Sequence, residues 1–467
     1  MIYVPLGESE EIGASCHFLE LFGTGLLLDA GVDPELDGMA SVPRLDLVRD
    51  NPDRWIDNAF VTHAHHDHIG ALPVVLQQFP HAIAHMTRAT EQLAEVLLPA
   101  SARLQRRKQR ESALAAAPIF EEEELEAYRY LYRNHELEVP FDVTGPRGSA
   151  PVWATLYDAG HVLGSAGILL EARTNGGARR IFYTGDTCTR PQAVIPAARF
   201  PDPPIDVLLL ETTLGADPET ENTTRKAEEL RLAEDLAAVL KRGGAALMPV
   251  FALGRGQEML ALIDRFKKRR LIPEETPVYT AGLMRAISDV YDKTRFTTPR
   301  LDEDFQVFGV AQTRLPRSDA ATTAALSEPA ILVVGSGMMF EHTISNRIAQ
   351  QLVSSEKNGV FLVGYTRPGS PGHLLLEAAR EGKGTEVVLD PVRGAQPVNC
   401  SVGRYRFSGH SHRRELIQIV EDLKPRRIVL LHGETDARAW MADNINFFYP
   451  EIEIYSPRTG EVLELEL

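Results

Sequence analysis

A chain of 467 residues, 44% apolar and 24% charged, has the composition of an ordinary globular protein and enough length for two or three domains with ample cores. Its 65 acidic against 49 basic residues give a formal charge of −16, which argues against a tight, nonspecific polyanion binder but not against a site that grips one strand locally. Three scattered cysteines, Cys16, Cys188 and Cys400, exclude a disulfide framework and a cysteine zinc site and suit a reducing cytoplasm. Residues 1–13, with three Glu and no Lys or Arg, do not read as a secretory leader, and no apolar run reaches membrane-spanning length.

Up to about residue 210, short β-type runs alternate with glycine-rich turns. The run 26–28 ends in Asp29-Ala30-Gly31. The apolar run 59–61 leads into T-H-A-H-H-D-H-I-G at 62–70, which places His63, His65, Asp67 and His68 within six residues. Imidazole and carboxylate are the usual ligands of zinc and related ions, and so dense a group would repel itself without a cation. Residues 91–114 and 121–137 have largely helical composition, and Pro99 is expected to break or kink the first of these segments. Together they predict a helical excursion over 95–145 near the mouth of the site.

Four ligands on one loop cannot enclose two tetrahedral ions, so the others are sought at strand ends beside small residues. Three apolar runs end that way: 152–156 before Asp158-Ala159-Gly160-His161, 181–183 before Thr184-Gly185-Asp186-Thr187, and 428–431 before His432-Gly433-Glu434.

The 246 residues from Asp186 to His432 are too many for a loop and carry their own α/β pattern. Residues 225–242 predict a helix with Leu232, Leu236, Val239 and Leu240 on one stripe, ended by Gly243-Gly244. Strands are expected at 246–250, 278–280, 330–334 and 360–363, with a second helix at 257–268. This alternation predicts a mostly parallel sheet covered on both faces, inserted into an outer domain. The basic runs 103–110 and 267–270 read as solvated helix faces. At the junction Pro249 to Glu258, P-V-F-A-L-G-R-G-Q-E, the backbone around Gly254 and the fork of Arg255 are suited to phosphate.

The H-x-H-x-D-H run with the later His, Asp and His resembles the metallo-β-lactamase superfamily. The ten residues at 249–258 resemble the signature of its β-CASP nuclease branch, the RNA-processing enzymes of the cleavage-and-polyadenylation-factor and bacterial ribonuclease type. Gly335-Ser336-Gly337-Met338-Met339, the glycine-rich stretch 364–372, Glu211-Thr212-Thr213-Leu214-Gly215 and Phe407-Ser408-Gly409-His410 resemble further motifs of that branch. Residues 7–16 with 26–31 resemble its opening strands. The resemblance spans nearly the whole chain except about residues 95–145. It departs from the family pattern at Leu214 (usually Tyr), Gly409 (usually Ala) and His412 (often Asp).

The resemblance implies an αββα metallo-β-lactamase sandwich, residues 1–210 and 386–467, interrupted by an inserted α/β β-CASP domain at 211–385. It implies one metal held by His63, His65 and His161, another by Asp67, His68 and His432, and a bridge at Asp186, with Asp29 supporting the loop. Two Zn²⁺ are expected, with Mn²⁺ as the alternative. The implied activity is hydrolysis of single-stranded RNA, from within or from a 5′ end, by a water activated between the metals. Asp67, Glu211 and His410 are the implied catalytic groups, and Gly254, Arg255, Ser408 and His410 the implied substrate contacts. A histidine at position 432 is what the RNA-processing members carry. The rival expectations are a single-stranded DNA nuclease, a metal hydrolase of a small ester or thioester, and a noncatalytic RNA-binding subunit. No membrane partner is expected, and the chain leaves room for a homodimer.

Overall fold

A computed structural model describes residues 1–7, 13–111, 116–218 and 221–467, the side chain of Asp319 excepted. The opening segment 7–16 therefore lies partly outside the described residues. The chain divides into two compact units. One comprises Met1–Pro191, Pro196–Pro218 and His410–Leu467, and the other Gln192–Ile195 and Glu219–Gly409.

The first unit contains two seven-stranded sheets. In spatial order the first is Leu463–Glu464, Ile2–Pro5, His17–Leu21, Thr24–Leu28, Asn58–Phe60, Ile83–Thr87 and Tyr132–His135. The second is Glu453–Tyr455, Arg427–Leu431, Val207–Glu211, Gly177–Tyr183, Ala166–Thr174, Val152–Asp158 and Phe141–Asp142. Period-two alternation sets the layers. Leu26, Leu28 and Phe60 from the first sheet share one core with Leu156, Ile168, Tyr183, Leu209 and Leu431 from the second, so the two sheets face each other. Leu27, Ala59, Ala84 and Met86 point the other way. They pack with Leu72 and Val75 of helix Leu72–Gln78 and with Ala94, Leu98 and Ala102 of helix Arg88–Glu111. Leu208, Leu210, Ile428 and Leu430 meet helices Arg413–Leu423 and Thr435–Phe448 through Leu416, Ile419, Met441 and Ile445. This is an αββα sandwich. Strands covered on both faces read as continuous apolar runs, which is why they stood out in the sequence.

The second unit is a six-stranded, wholly parallel sheet ordered Thr313–Arg314, Val278–Thr280, Ala330–Val334, Ala245–Pro249, Gly359–Leu362 and Ser401–Arg404. Helices Arg225–Lys241 and Arg255–Lys268 lie where the apolar stripes predict them.

Three expectations are corrected. Strand Ser401–Arg404 belongs to the inserted sheet, so that unit runs to Gly409 and not to 385, and Val207–Glu211 with its flank to Pro218 stays in the outer unit. Residues 121–137 are not one helix. They form short turns from Glu122 to Leu131 and then strand Tyr132–His135, because parallel pairing with Ile83–Thr87 outweighs a weak helical preference. Pro99 sits inside helix Arg88–Glu111 without ending it, and that helix covers a sheet face, with the Ser101 hydroxyl 3.3 Å from His66 Nε2 in the His loop.

Candidate metal centre

Every expected ligand lies just past the C-terminal end of a strand of the sandwich: the His loop after Asn58–Phe60, His161 after Val152–Asp158, Asp186 after Gly177–Tyr183 and His432 after Arg427–Leu431. The His loop is held by its own carbonyls. Those of His66, Asp67 and His68 accept the N–H groups of Val32, Ser15 and Ala30 at 3.2, 2.7 and 2.8 Å. Gly31 makes this approach possible, since a Cβ there would stand 1.7 Å from the Asp67 carbonyl oxygen.

The seven candidate ligand residues form two groups. His63, His65, His161 and Asp186 converge in one, and Asp67, His68 and His432 in the other, with the candidate ligand atoms of each group within 4.8 Å of one another. His65 Nδ1 lies 3.1 Å from both His63 Nε2 and His161 Nε2. The two oxygens of Asp186 divide between the groups. Oδ2 is 3.7 Å from His63 Nε2 and 3.5 Å from His161 Nε2, while Oδ1 is 3.4 Å from His68 Nε2 and 3.2 Å from His432 Nδ1. Asp67 Oδ2 is 3.7 Å from His432 Nε2 and 3.9 Å from His68 Nε2.

This arrangement fits divalent metal. His68 Nε2, Asp186 Oδ1 and His432 Nε2 are buried and have no hydrogen-bond partner, a costly condition that a cation shared among them removes. Burial holds the His63 ring far below its usual pKa, in the neutral form that a metal ligand requires. Asp186, despite burial that opposes its charge, is held well below the usual carboxylate range by His432 and His68.

Asp29 orients one histidine in each group. It is fully buried, with φ of 61°, and its Oδ2 accepts from His68 Nδ1 at 2.8 Å and from the Tyr183 hydroxyl at 2.7 Å. Its Oδ1 accepts the Thr62 N–H at 2.7 Å, and the Thr62 hydroxyl, 2.9 Å from both carboxylate oxygens, lies 3.1 Å from His63 Nδ1. With the Nδ1 side of each ring engaged, Nε2 of His68 and of His63 faces the cluster. His432, at φ of 49°, is steadied by Thr213, whose hydroxyl is 3.1 Å from its Nδ1. Tyr183, Thr62 and Thr213 carry no assigned role in the sequence analysis. Each stands inside a quoted run, but nothing in its residue type announces a supporting bond.

His410 stands beside the cluster, its ring centroid 4.5 Å from that of His161 and its Nε2 3.9 Å from Asp186 Oδ2. Its Nδ1 lies 3.2 Å from Glu211 Oε1. Glu211 is fully buried and also accepts the N–H groups of Thr187 and Thr213 at 3.1 and 2.9 Å. Burial disfavours a charged His410, but Glu211 and Asp186 outweigh it and raise its pKa. The histidine at 412 takes no part in this contact. It caps helix Arg413–Leu423, its side chain accepting the Glu415 N–H while the Glu415 carboxylate accepts the His412 N–H. His65, Asp67 and His410 are only partly buried and mark the open side of the cluster.

Gly254 and Arg255 depart from expectation. The Gly254 N–H is taken by Gln257 Oε1 at 2.9 Å, and Arg255, 7% exposed, donates to Gln192 Oε1 at 2.8 Å and pairs with Glu258. A buried guanidinium so engaged anchors the strand-to-helix turn within its own unit instead of presenting a fork to phosphate. Ser408 is half-buried and lies two residues before His410.

An αββα sandwich with histidines and aspartates gathered at its strand ends is the architecture of the metallo-β-lactamase fold. Family models agree: the one described as Metallo-beta-lactamase superfamily matches residues 11–187, the Beta-Casp domain matches 256–375, and the Zn-dependent metallo-hydrolase RNA specificity domain matches 395–457. The chain thus carries metallo-β-lactamase, β-CASP and RNA specificity domains, a set that fits the β-CASP branch of the metallo-β-lactamase superfamily. It is 28% identical over 471 residues to cleavage and polyadenylation specificity factor 73 of Drosophila melanogaster (99% of this chain, 64% of the relative). It is 27% identical over 503 residues to endoribonuclease ysh-1 of Neurospora crassa (100% of this chain, 56% of the relative). It therefore spans less than two thirds of either. An RNase J-like protein of Methanocaldococcus jannaschii is 27% identical over 434 residues (92% of this chain, 91% of the relative). A solved structure of a protein of unknown function from Enterococcus faecalis shares the fold, with a TM-score of 0.58 at 15% identity over 99% of both chains. Among the described residues no helix is long and apolar enough to cross a membrane.

Proposed function

We propose that this chain is a ribonuclease that hydrolyses phosphodiester bonds of single-stranded RNA with two zinc ions, manganese being the alternative. His63, His65 and His161 would hold one ion, Asp67, His68 and His432 the other, and Asp186 both. Bound there, the ions supply Lewis acidity toward phosphoryl oxygens and bring the pKa of a water toward neutrality. The observation that carries the reading is the pairing of this cluster with His410, an acid-competent imidazole held at its rim by a buried carboxylate.

The residues divide the work. Asp67, partly exposed at the open side, accepts a hydrogen bond from the attacking water and orients it. Glu211 holds the proton on His410 Nδ1, which turns Nε2 toward the cluster, and its charge helps keep the ring protonated. His410 Nε2 then contacts the scissile phosphate and gives its proton to the leaving oxygen as the bond to phosphorus breaks. Ser408 would hold a neighbouring phosphate. RNA is favoured over DNA by the RNA specificity domain match and by relatives named as endoribonuclease and RNase J-like. The buried free cysteines suit action in a reducing cytoplasm.

End-labelled RNA and DNA, incubated with wild-type and His410→Ala protein, test this. The variant should keep its metal and cleave RNA about 10²–10⁴-fold more slowly. Full-rate cleavage by chelated, metal-free protein, or wild-type turnover by the variant, would overturn the assignment.

A further inference from the structure

The basic runs conspicuous in the sequence are partly paired in the fold. Arg103 pairs with Glu122, Arg106 with Glu121, Arg107 with Glu111 and Lys108 with Asp37. Lys267 is buried, with Nζ on the Thr276 carbonyl, and Lys268 pairs with Asp264.

Four other arginines, dispersed along the sequence, meet in the inserted unit. Arg231, Arg380, Arg404 and Arg406, with Thr223 and Glu228, line a hollow of about 230 Å³. Glu228 is its one carboxylate and is already engaged, accepting from Arg231 Nη2 at 2.6 Å and from the Arg406 N–H at 2.8 Å. Arg231 also donates to the Arg404 carbonyl at 2.5 Å and covers the Tyr405 ring at 4.1 Å, so the wall is tied together. The guanidinium groups of Arg380 and Arg404 form no ion pair with any described residue. Among the described residues, four arginines line this hollow with a single carboxylate, a local excess of positive charge in a chain of net charge −16.

The lining selects the ligand. Planar guanidinium forks match phosphate, whereas the walls offer no open aromatic or aliphatic surface on which a base could stack. Arg404 and Arg406 precede His410 by six and four residues, so the chain leaving this wall is the one that carries Phe407-Ser408-Gly409-His410. We propose that this hollow holds a backbone phosphate of single-stranded RNA other than the scissile one, and so contributes affinity and register. The proposal rests on the RNA reading above.

The test uses the full chain in the His410→Ala background, a fluorescent single-stranded RNA, and anisotropy over a salt series. Arg380→Ala, on an exposed helix end, and Arg404→Ala should each bind about tenfold more weakly. The slope of log affinity against log salt should shrink by about 0.7 for each phosphate left without its arginine. Arg404→Lys should restore most of the slope and part of the affinity, metal content should not change, and Lys268→Ala should bind like the parent. RNA with a 5′-hydroxyl and with a 5′-phosphate should suffer equally. Parental affinity and slope in both alanine variants would overturn the proposal, as would a loss confined to 5′-phosphorylated RNA, which would mark an end-binding pocket. Wild-type protein that cleaves no RNA would sink the proposed function; wild-type cleavage with parental binding by the variants would sink the hollow alone.

Discussion

The metal cluster of the outer unit and the arginine hollow of the inserted unit both crowd like groups together, by opposite means. In the cluster most of the groups are buried, the Nδ1 atoms of His68, His63 and His432 are engaged by Asp29, Thr62 and Thr213, and three buried polar atoms are left without a hydrogen-bond partner. In the hollow the arginines are at least partly exposed, only the Arg231 guanidinium bonds to Glu228, and their charges are screened by water. A buried group of bare donors requires a specific ion. An open group of solvated cations needs only an anion of the right geometry, and its contribution depends on salt.

The largest expected effect breaks the cluster. Asp186→Ala removes the carboxylate whose oxygens divide between both groups, and should lower bound metal at both positions and cleavage by about 10³-fold or more, read by elemental analysis beside turnover. Replacing His410 separates chemistry from metal binding, as set out above. Asp29→Asn keeps the shape of the side chain but removes the charge that orients His68 directly and His63 through Thr62. Metal affinity should fall about 10–100-fold in a competitive chelator titration. An unchanged affinity would mean the imidazoles are fixed by packing alone. The arginine variants should cost less and, unlike the cluster variants, their effect should fade at high salt.

The smallest effect concerns a histidine pair with no carboxylate against it. His85 bonds to His135 at 2.9 Å and to Asn58 at 2.8 Å, and burial lowers their pKa values to about 3 and about 4. Both are neutral in the fold, while an unfolded histidine takes up a proton near pH 6.5. The unfolded state therefore binds more protons below that value, and stability should fall as pH drops from about 6.5 toward 4. Denaturant titrations across this window should show that slope, and His135→Asn should flatten it.

The sequence by itself marked the parallel insert and the seven candidate ligands through short-range chemistry, and the sandwich through the family it resembles. Strands buried on both faces write continuous apolar runs, and a metal needs imidazoles and carboxylates beside small residues at strand ends. It also carried Glu211 and His410, through motifs of a family it resembles. Only the tertiary structure decided that the insert reaches Gly409, that 132–135 is an edge strand, and that Arg255 is internally paired. The same holds for the meeting of Arg231, Arg380, Arg404 and Arg406. A guanidinium's partner is set by which carboxylate the fold brings near it, and adjacency in the chain carries no record of that. Four of the five cations in the run 103–110 are therefore paired, while the arginines of the hollow are spread over 175 residues, the separation from Arg231 to Arg406.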